Sequence, residues 1–186
     1  MRKGLTVLFV ASTVIIAATG LYLSSNGSFA QLKAEDNSHS YSLTFTKSNI
    51  TSSSVATGYP QTGTFSFSTN TTSGATFEVT GATAKGDKVL FDKNGSNHMV
   101  DSDAFDDGFE EASFNISFHF NGILSATSVT VYGNFEYPEG SWEFDKTEMT
   151  FTGSNAVNGE ATIVAFASEL NSFYISSIVV QYTCAY

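Results

Sequence analysis

The sequence predicts an all-β protein, an antiparallel β-sandwich or jelly roll that follows an amino-terminal signal peptide or anchor helix. Apolar and polar residues alternate with period two in many short segments, which places alternate side chains on opposite faces of a strand. Glycine, asparagine and serine separate these segments at intervals of about ten residues. After the export segment, no window of about 11 residues carries the apolar stripe of an amphipathic helix. Together these observations favour two stacked sheets.

The first 30 residues have the composition of an export signal. Arg2 and Lys3 precede an apolar run from Leu5 to Leu23, and small residues follow at Ser28 and Ala30. Signal peptidase cleaves after such a sequence, and the run is also long enough to span a bilayer as an uncleaved anchor. Under either alternative, the rest of the chain is expected to be secreted or displayed on the extracellular cell surface. Any membrane contact would then come through the amino-terminal segment.

Residues 31–40 are polar and patternless, and they predict a spacer before one folded domain at residues 41–186. The stretch Thr51–Thr57 is rich in serine and threonine and is interpreted as a loop. Asn94-Gly95 predicts a tight turn of a hairpin that joins Val89–Phe91 to a partner strand at His98–Val100. The predicted strands are Tyr41–Phe45, Phe65–Phe67, Phe77–Val79, Val89–Phe91, Phe114–Phe120, Ser128–Tyr132, Trp142–Phe144, Met149–Phe151, Thr162–Phe166 and Phe173–Tyr182.

The charge balance of the chain makes polyanions such as nucleic acid poor candidates as partners. After residue 30 the chain keeps all 18 acidic residues but only six lysines, so its formal charge is −12. The only arginine, Arg2, lies in the export segment, so no guanidinium is left to hold phosphate in two places. Nucleic acid is therefore not expected as a partner. Cys184 is the only cysteine, which excludes an internal disulfide framework.

The carboxyl-terminal segments resemble a known class of module. Met149-Thr-Phe-Thr-Gly, Ala161-Thr-Ile-Val-Ala-Phe and Phe173-Tyr-Ile-Ser-Ser-Ile-Val-Val-Gln-Tyr are similar to the last strands of secreted bacterial jelly-roll modules, many of which bind carbohydrate. The resemblance covers about 35 residues. It implies the fold, and it transfers no binding residue, because those modules place their ligand residues in variable loops.

Six carboxylates lie within the segment Asp101–Glu111, and such a density of oxygen ligands could surround a calcium ion. The segment lacks EF-hand spacing, because Phe105 stands where a third ligand is needed. The alternative is a solvated acidic loop. His98 lies nearby without a second histidine, so it is interpreted as an exposed side chain and not as a zinc ligand. The predicted calcium ligands are Asp101, Asp103, Asp106, Asp107 and Glu110.

An aromatic segment, Tyr132–Trp142, is the second candidate site. Pro138 and Gly140 indicate a loop, and aromatic rings on a loop can stack on the apolar face of a sugar while neighbouring polar groups bond its hydroxyls. The alternative places the rings in the core on either side of a turn. The predicted ligand-binding residues are Tyr132, Phe135, Tyr137 and Trp142.

The sequence therefore favours a secreted or surface-displayed β-sandwich binding or adhesion module, with an extracellular glycan or a surface protein as partner. The first alternative is a structural protein that self-assembles through its sheet edges. The second alternative is a small extracellular hydrolase, although no nucleophile elbow or comparable catalytic motif is present in the sequence. We therefore expect no enzymatic activity and, apart from calcium, no cofactor.

Overall fold

A computed structural model of the chain describes residues 21–23, 29–31, 38–71, 73–91, 97–103, 111–153 and 155–185. The chain divides into two compact units, residues 1–37 and 38–186. In the first unit, β1 (Leu21–Leu23) pairs antiparallel with β2 (Phe29–Gln31). The other residues of the predicted signal peptide or anchor lie outside the described ranges, so that assignment stays a prediction. Among the described residues, no helix is both long enough and apolar enough to cross a membrane.

In the second unit, the described residues form strands and connecting loops, with one short 3-10 turn at Lys47–Asn49. Its strands are β3 (Ser38–Phe45), β4 (Ser52–Ala56), β5 (Gln61–Asn70), β6 (Thr76–Gly86), β7 (Lys88–Phe91), β8 (Val100–Asp103), β9 (Ala112–Asn121), β10 (Ser125–Glu136), β11 (Lys146–Phe151), β12 (Glu160–Leu170) and β13 (Ser172–Ala185).

These strands form two antiparallel sheets. Sheet I has the order β11-β10-β13-β8-β7, and β3 also pairs with β13. Sheet II has the order β12-β9-β6-β5-β4. The long strand β13 holds β3 along Ile178–Ala185 and β8 along Phe173–Ile175.

The two sheets pack face to face through phenylalanine rings. Phe45 of sheet I lies 4.7 Å, between ring centroids, from Phe67 of sheet II. At the other end of the core, Phe114 of sheet II contacts Phe135 and Phe173 of sheet I at 5.7 and 5.4 Å. Such rings bury large apolar areas and gain further from tilted or edge-to-face contact. The predicted all-β sandwich with a phenylalanine core is thus confirmed at the level of two packed antiparallel sheets.

Several predicted elements differ from the observed ones. The prediction of a loop at Thr51–Thr57 is wrong, because β4 pairs there with β5. β4 is an edge strand, and all its side chains are exposed. An edge strand of this kind has no buried face, so it shows no apolar alternation. The prediction of a strand at Trp142–Phe144 is also wrong, since these residues lie in a loop. β3 begins at Ser38, before the predicted start at Tyr41, because β13 continues far enough to pair with it.

The antiparallel hairpin predicted around Asn94-Gly95 is confirmed, but its second strand was predicted at His98–Val100 and begins only at Val100. β7 and β8 are antiparallel, with Lys88 opposite Asp103 and Phe91 opposite Val100. The turn residues themselves lie outside the described ranges.

Candidate ligand-binding loop and groove

Among the described residues of the second unit, the two most exposed large apolar side chains lie on the loop Tyr137–Asp145, which joins β10 to β11. Trp142 and Phe144 on this loop are 99% and 85% exposed. Large apolar side chains that project together from a folded surface are unusual, and they often mark a binding site. We name this segment the aromatic loop.

Hydrogen bonds within the aromatic loop define its conformation. The Ser141 amide donates to the Pro138 carbonyl at 3.0 Å, which closes a turn with Gly140 at its positive φ of 82°. The Ser141 hydroxyl donates to the Glu143 carbonyl at 2.8 Å. At the base, the Tyr137 amide donates to Asp145 Oδ1 at 3.0 Å. The loop is therefore a preorganised support for its two rings, which reduces the entropy lost on binding.

An open groove of about 450 Å³ begins at the base of the aromatic loop, between β11 of sheet I and β12 of sheet II. Tyr137 and Lys146 belong to both the loop base and the groove. Phe166, 53% exposed, forms part of the β12 side. The lining residues are Tyr137, Lys146, Glu148, Met149, Thr150, Phe151, Phe166, Ala167 and Ser168. We name this surface the edge groove.

Lys146 connects the loop to the groove electrostatically. Its Nζ donates to Glu143 Oε2 at 2.6 Å and lies 5.1 Å from the centroid of the Tyr137 ring. The hydrogen bond to Glu143 raises the pKa of Lys146 above 10.5, since it favours the charged ammonium. The ammonium is thus already compensated, and Glu148 adds a further negative charge to the groove. This surface is poorly suited to an anionic ligand.

The structure separates the four predicted ligand-binding residues. Trp142 projects from the aromatic loop as expected, and half-buried Tyr137 lies at the loop base. Phe135 is fully buried against Phe114, so its assignment as a ligand-binding residue is corrected to a core residue. Tyr132, 36% exposed, lies on the solvent-facing side of β10, opposite Glu148 and Ser177. The segment is therefore part strand and part loop.

The predicted calcium ligands lie mostly outside the described residues, which exclude Asp106, Asp107 and Glu110. Asp101 and Asp103 belong to β8, and Asp101 is 7% exposed. Asp101 Oδ2 lies 2.8 Å from His98 Nδ1, so one carboxylate oxygen already has a partner. Within the described ranges, no group of three or more histidine, cysteine or acidic side chains is arranged to hold a metal ion. The calcium site stays a prediction.

Sequence reasoning missed the environment of His98. Its ring is stacked on Tyr174 with centroids 3.8 Å apart and an angle of 8° between the planes. Asp101, which holds the imidazole, is paired with Tyr174 across β8 and β13. The sequence predicted His98 as the first residue of a strand, whereas β8 begins two residues later, at Val100. The pairing of that strand with the distant β13 was not visible in the sequence, and it brings Tyr174 beneath the imidazole.

The sequence was compared with protein families, with curated proteins and with solved structures, and nothing matched in any of the three comparisons.

Proposed function

We propose that the protein is a secreted or surface-displayed binding or adhesion module whose aromatic loop holds an extracellular glycan. The exposure of Trp142 on an internally hydrogen-bonded loop is the observation that carries this proposal. The composition of the first 30 residues supports export. The resemblance of the last strands to secreted bacterial jelly-roll modules supports a jelly-roll connectivity and says little about the ligand.

The chemistry of the loop suits a sugar. One face of a pyranose ring presents C–H groups that pack on an aromatic ring, and its hydroxyls need hydrogen-bond partners at the rim. Trp142 and Phe144 offer the rings, and the exposed carboxylates of Glu139 and Glu143 offer acceptors beside them. The formal charge of −12 after residue 30 and the compensated Lys146 favour a glycan without acidic groups.

A glycan array with the chain after residue 30 would identify ligands. Isothermal titration calorimetry would measure their affinity, because variants at Trp142, the only tryptophan in the sequence, lose the fluorescence signal. We expect Trp142→Ala to weaken binding at least tenfold, which corresponds to about 1.4 kcal/mol. Trp142→Phe should keep part of the affinity because it keeps a ring. Val157→Ala is the matched control, since Val157 is 69% exposed and lies on a different turn. Equal binding by Trp142→Ala and the control would refute the proposal.

A self-assembling structural protein is the second candidate, and the edge strand β4 is the observation that favours it. β4 pairs with β5 alone among the described strands, and Ser52–Ala56 carries no charge or proline that would discourage another strand. Light scattering over a concentration series would detect assembly. If β4 mediates it, Val55→Lys should return the protein to a monomer.

The proposal contains no catalytic step and does not require calcium. The calcium prediction is tested separately, because an ion that binds the folded state raises its melting temperature. An unchanged melting temperature at millimolar calcium would remove the prediction.

A further inference from the structure

The edge groove continues the aromatic loop along the side of the sandwich. Tyr137 and Lys146 form the end of the groove, and Lys146 is bonded to Glu143 within the loop. From there the groove follows β11 to Phe151. Five residue steps along a strand span about 17 Å, so a ligand that begins at the loop has a continuous channel of that length ahead of it.

The lining of the groove combines apolar and hydrogen-bonding side chains. Phe166 is 53% exposed, whereas Met149 and Phe151 also pack on the core. Ser168 provides a hydroxyl, and the hydroxyl of Thr150 is already hydrogen-bonded within sheet I. A linear glycan suits such a lining, because each unit has apolar ring faces and a rim of hydroxyls. Among the described lining residues, the only cation is Lys146, which Glu143 compensates.

An extended peptide added to β12 is the competing occupant. Strand addition requires a row of open backbone groups along the edge of the sheet. The segment that leads into β12 covers the start of that edge, since a Cβ built on Gly153 would lie only 2.9 Å from the Thr162 carbonyl oxygen. The groove itself lies farther along β12, at Phe166–Ser168, so backbone pairing there is the competing outcome of the test.

We infer that the edge groove provides further subsites for the ligand of the aromatic loop, and that this ligand is an uncharged linear polysaccharide bound along its length. This inference rests on the proposed function. It adds that recognition involves several consecutive sugar units and does not stop at the chain end held by Trp142.

The test is a length series of neutral oligosaccharides, the cello- and laminari-series from disaccharide to hexasaccharide, measured by isothermal titration calorimetry. We expect the hexasaccharide to bind at least about tenfold more tightly than the disaccharide in the series that is recognised. Phe166→Ala should abolish this gain and leave disaccharide affinity unchanged. Val164→Ala is the control, because Val164 is similarly exposed on β12 and does not line the groove. Unchanged melting temperatures would show that both variants fold.

Each outcome has one meaning. Equal affinity for all lengths, with binding still lost in Trp142→Ala, would overturn the groove inference and leave the proposed function standing. Binding that is insensitive to Trp142→Ala would overturn the proposed function itself. Protection of β12 amides from hydrogen exchange by an extended peptide library, but not by the hexasaccharide, would assign the groove to strand addition and overturn the inference.

Discussion

Phe135 and Trp142 lie seven positions apart and have opposite environments. Phe135 is fully buried near the end of β10, whereas Trp142 is 99% exposed on the aromatic loop. Phe135 continues the alternation of Val129 and Val131 into the core, after a bulge between Tyr132 and Gly133. Trp142 follows a proline and a glycine and has no such alternation. Residue type alone therefore does not decide which aromatic side chains are available to a ligand.

The two regions are also held together differently. In the core, rings support one another, as Phe114 does with Phe135, Phe151 and Phe173. Within the described part of the chain, neither Trp142 nor Phe144 packs on another ring. Hydrogen bonds of the backbone and of Asp145 set the conformation of the loop that carries them. Substitutions in the core should thus affect stability, and substitutions in the loop should affect binding.

Phe135→Ala, compared with Trp142→Ala, tests the largest expected difference in stability between the core and the aromatic loop. Removal of a fully buried phenylalanine loses its transfer free energy and leaves a cavity, so we expect the free energy of unfolding to fall by about 3–5 kcal/mol. Trp142→Ala should change it by less than about 0.5 kcal/mol, because the ring is exposed. Urea denaturation of both variants measures the two values. Equal destabilisation would show that Trp142 packs in the folded protein.

Gly133 and Gly140 provide a second comparison, between glycines. A Cβ at Gly133 would overlap the Tyr174 carbonyl oxygen, at the bulge in the pairing of β10 with β13. Gly133→Ala must displace backbone, and we expect destabilisation of about 3 kcal/mol. A Cβ at Gly140 would have no atom within 4 Å, so Gly140→Ala is disfavoured only by the positive φ of 82°. We expect this to cost about 1 kcal/mol. Thermal and urea unfolding would measure both changes in stability. A larger destabilisation by Gly140→Ala than by Gly133→Ala would contradict the bulge geometry.

The sequence predicted the buried strands better than the surface elements. Alternation around Phe114–Phe120 and Phe173–Tyr182 identified β9 and β13, because a strand that faces a core must repeat with period two. β4 lacks a buried face and gave no signal. For the candidate site, the exposure of Trp142 was predicted from the turn residues around it, while Phe135 was misassigned because β10 continues to Glu136, past the predicted end at Tyr132. The His98–Tyr174 stack depends on the pairing of β8 with the distant β13, and the edge groove depends on the packing of the two sheets; local pattern contains neither.

Asp145 tests whether preorganisation of the aromatic loop matters. Asp145→Ala removes the acceptor for the Tyr137 amide, and we expect stability to fall by about 1 kcal/mol. Amide exchange at Tyr137 should become faster. Glycan affinity should fall as well, since the loop must then be ordered on binding. Asp145→Asn keeps an oxygen at this position and is the matched control. Full affinity in the alanine variant would mean that the rings act without the support of the loop.

The smallest expected effect is at Lys146, where loop and groove meet. The ion pair with Glu143 is 41% exposed at Lys146 and 58% at Glu143, so Lys146→Met should change stability by less than about 1 kcal/mol. Because Glu143 raises the pKa of Lys146 in the folded state above 10.5, the contribution is fully present below that pH and is lost as the pH rises through the folded-state value. The difference between wild type and Lys146→Met should accordingly stay constant around neutral pH and decrease under alkaline conditions. High salt should reduce it too. Unfolding curves at several pH values would check this, and a difference that grew with pH would contradict the pairing.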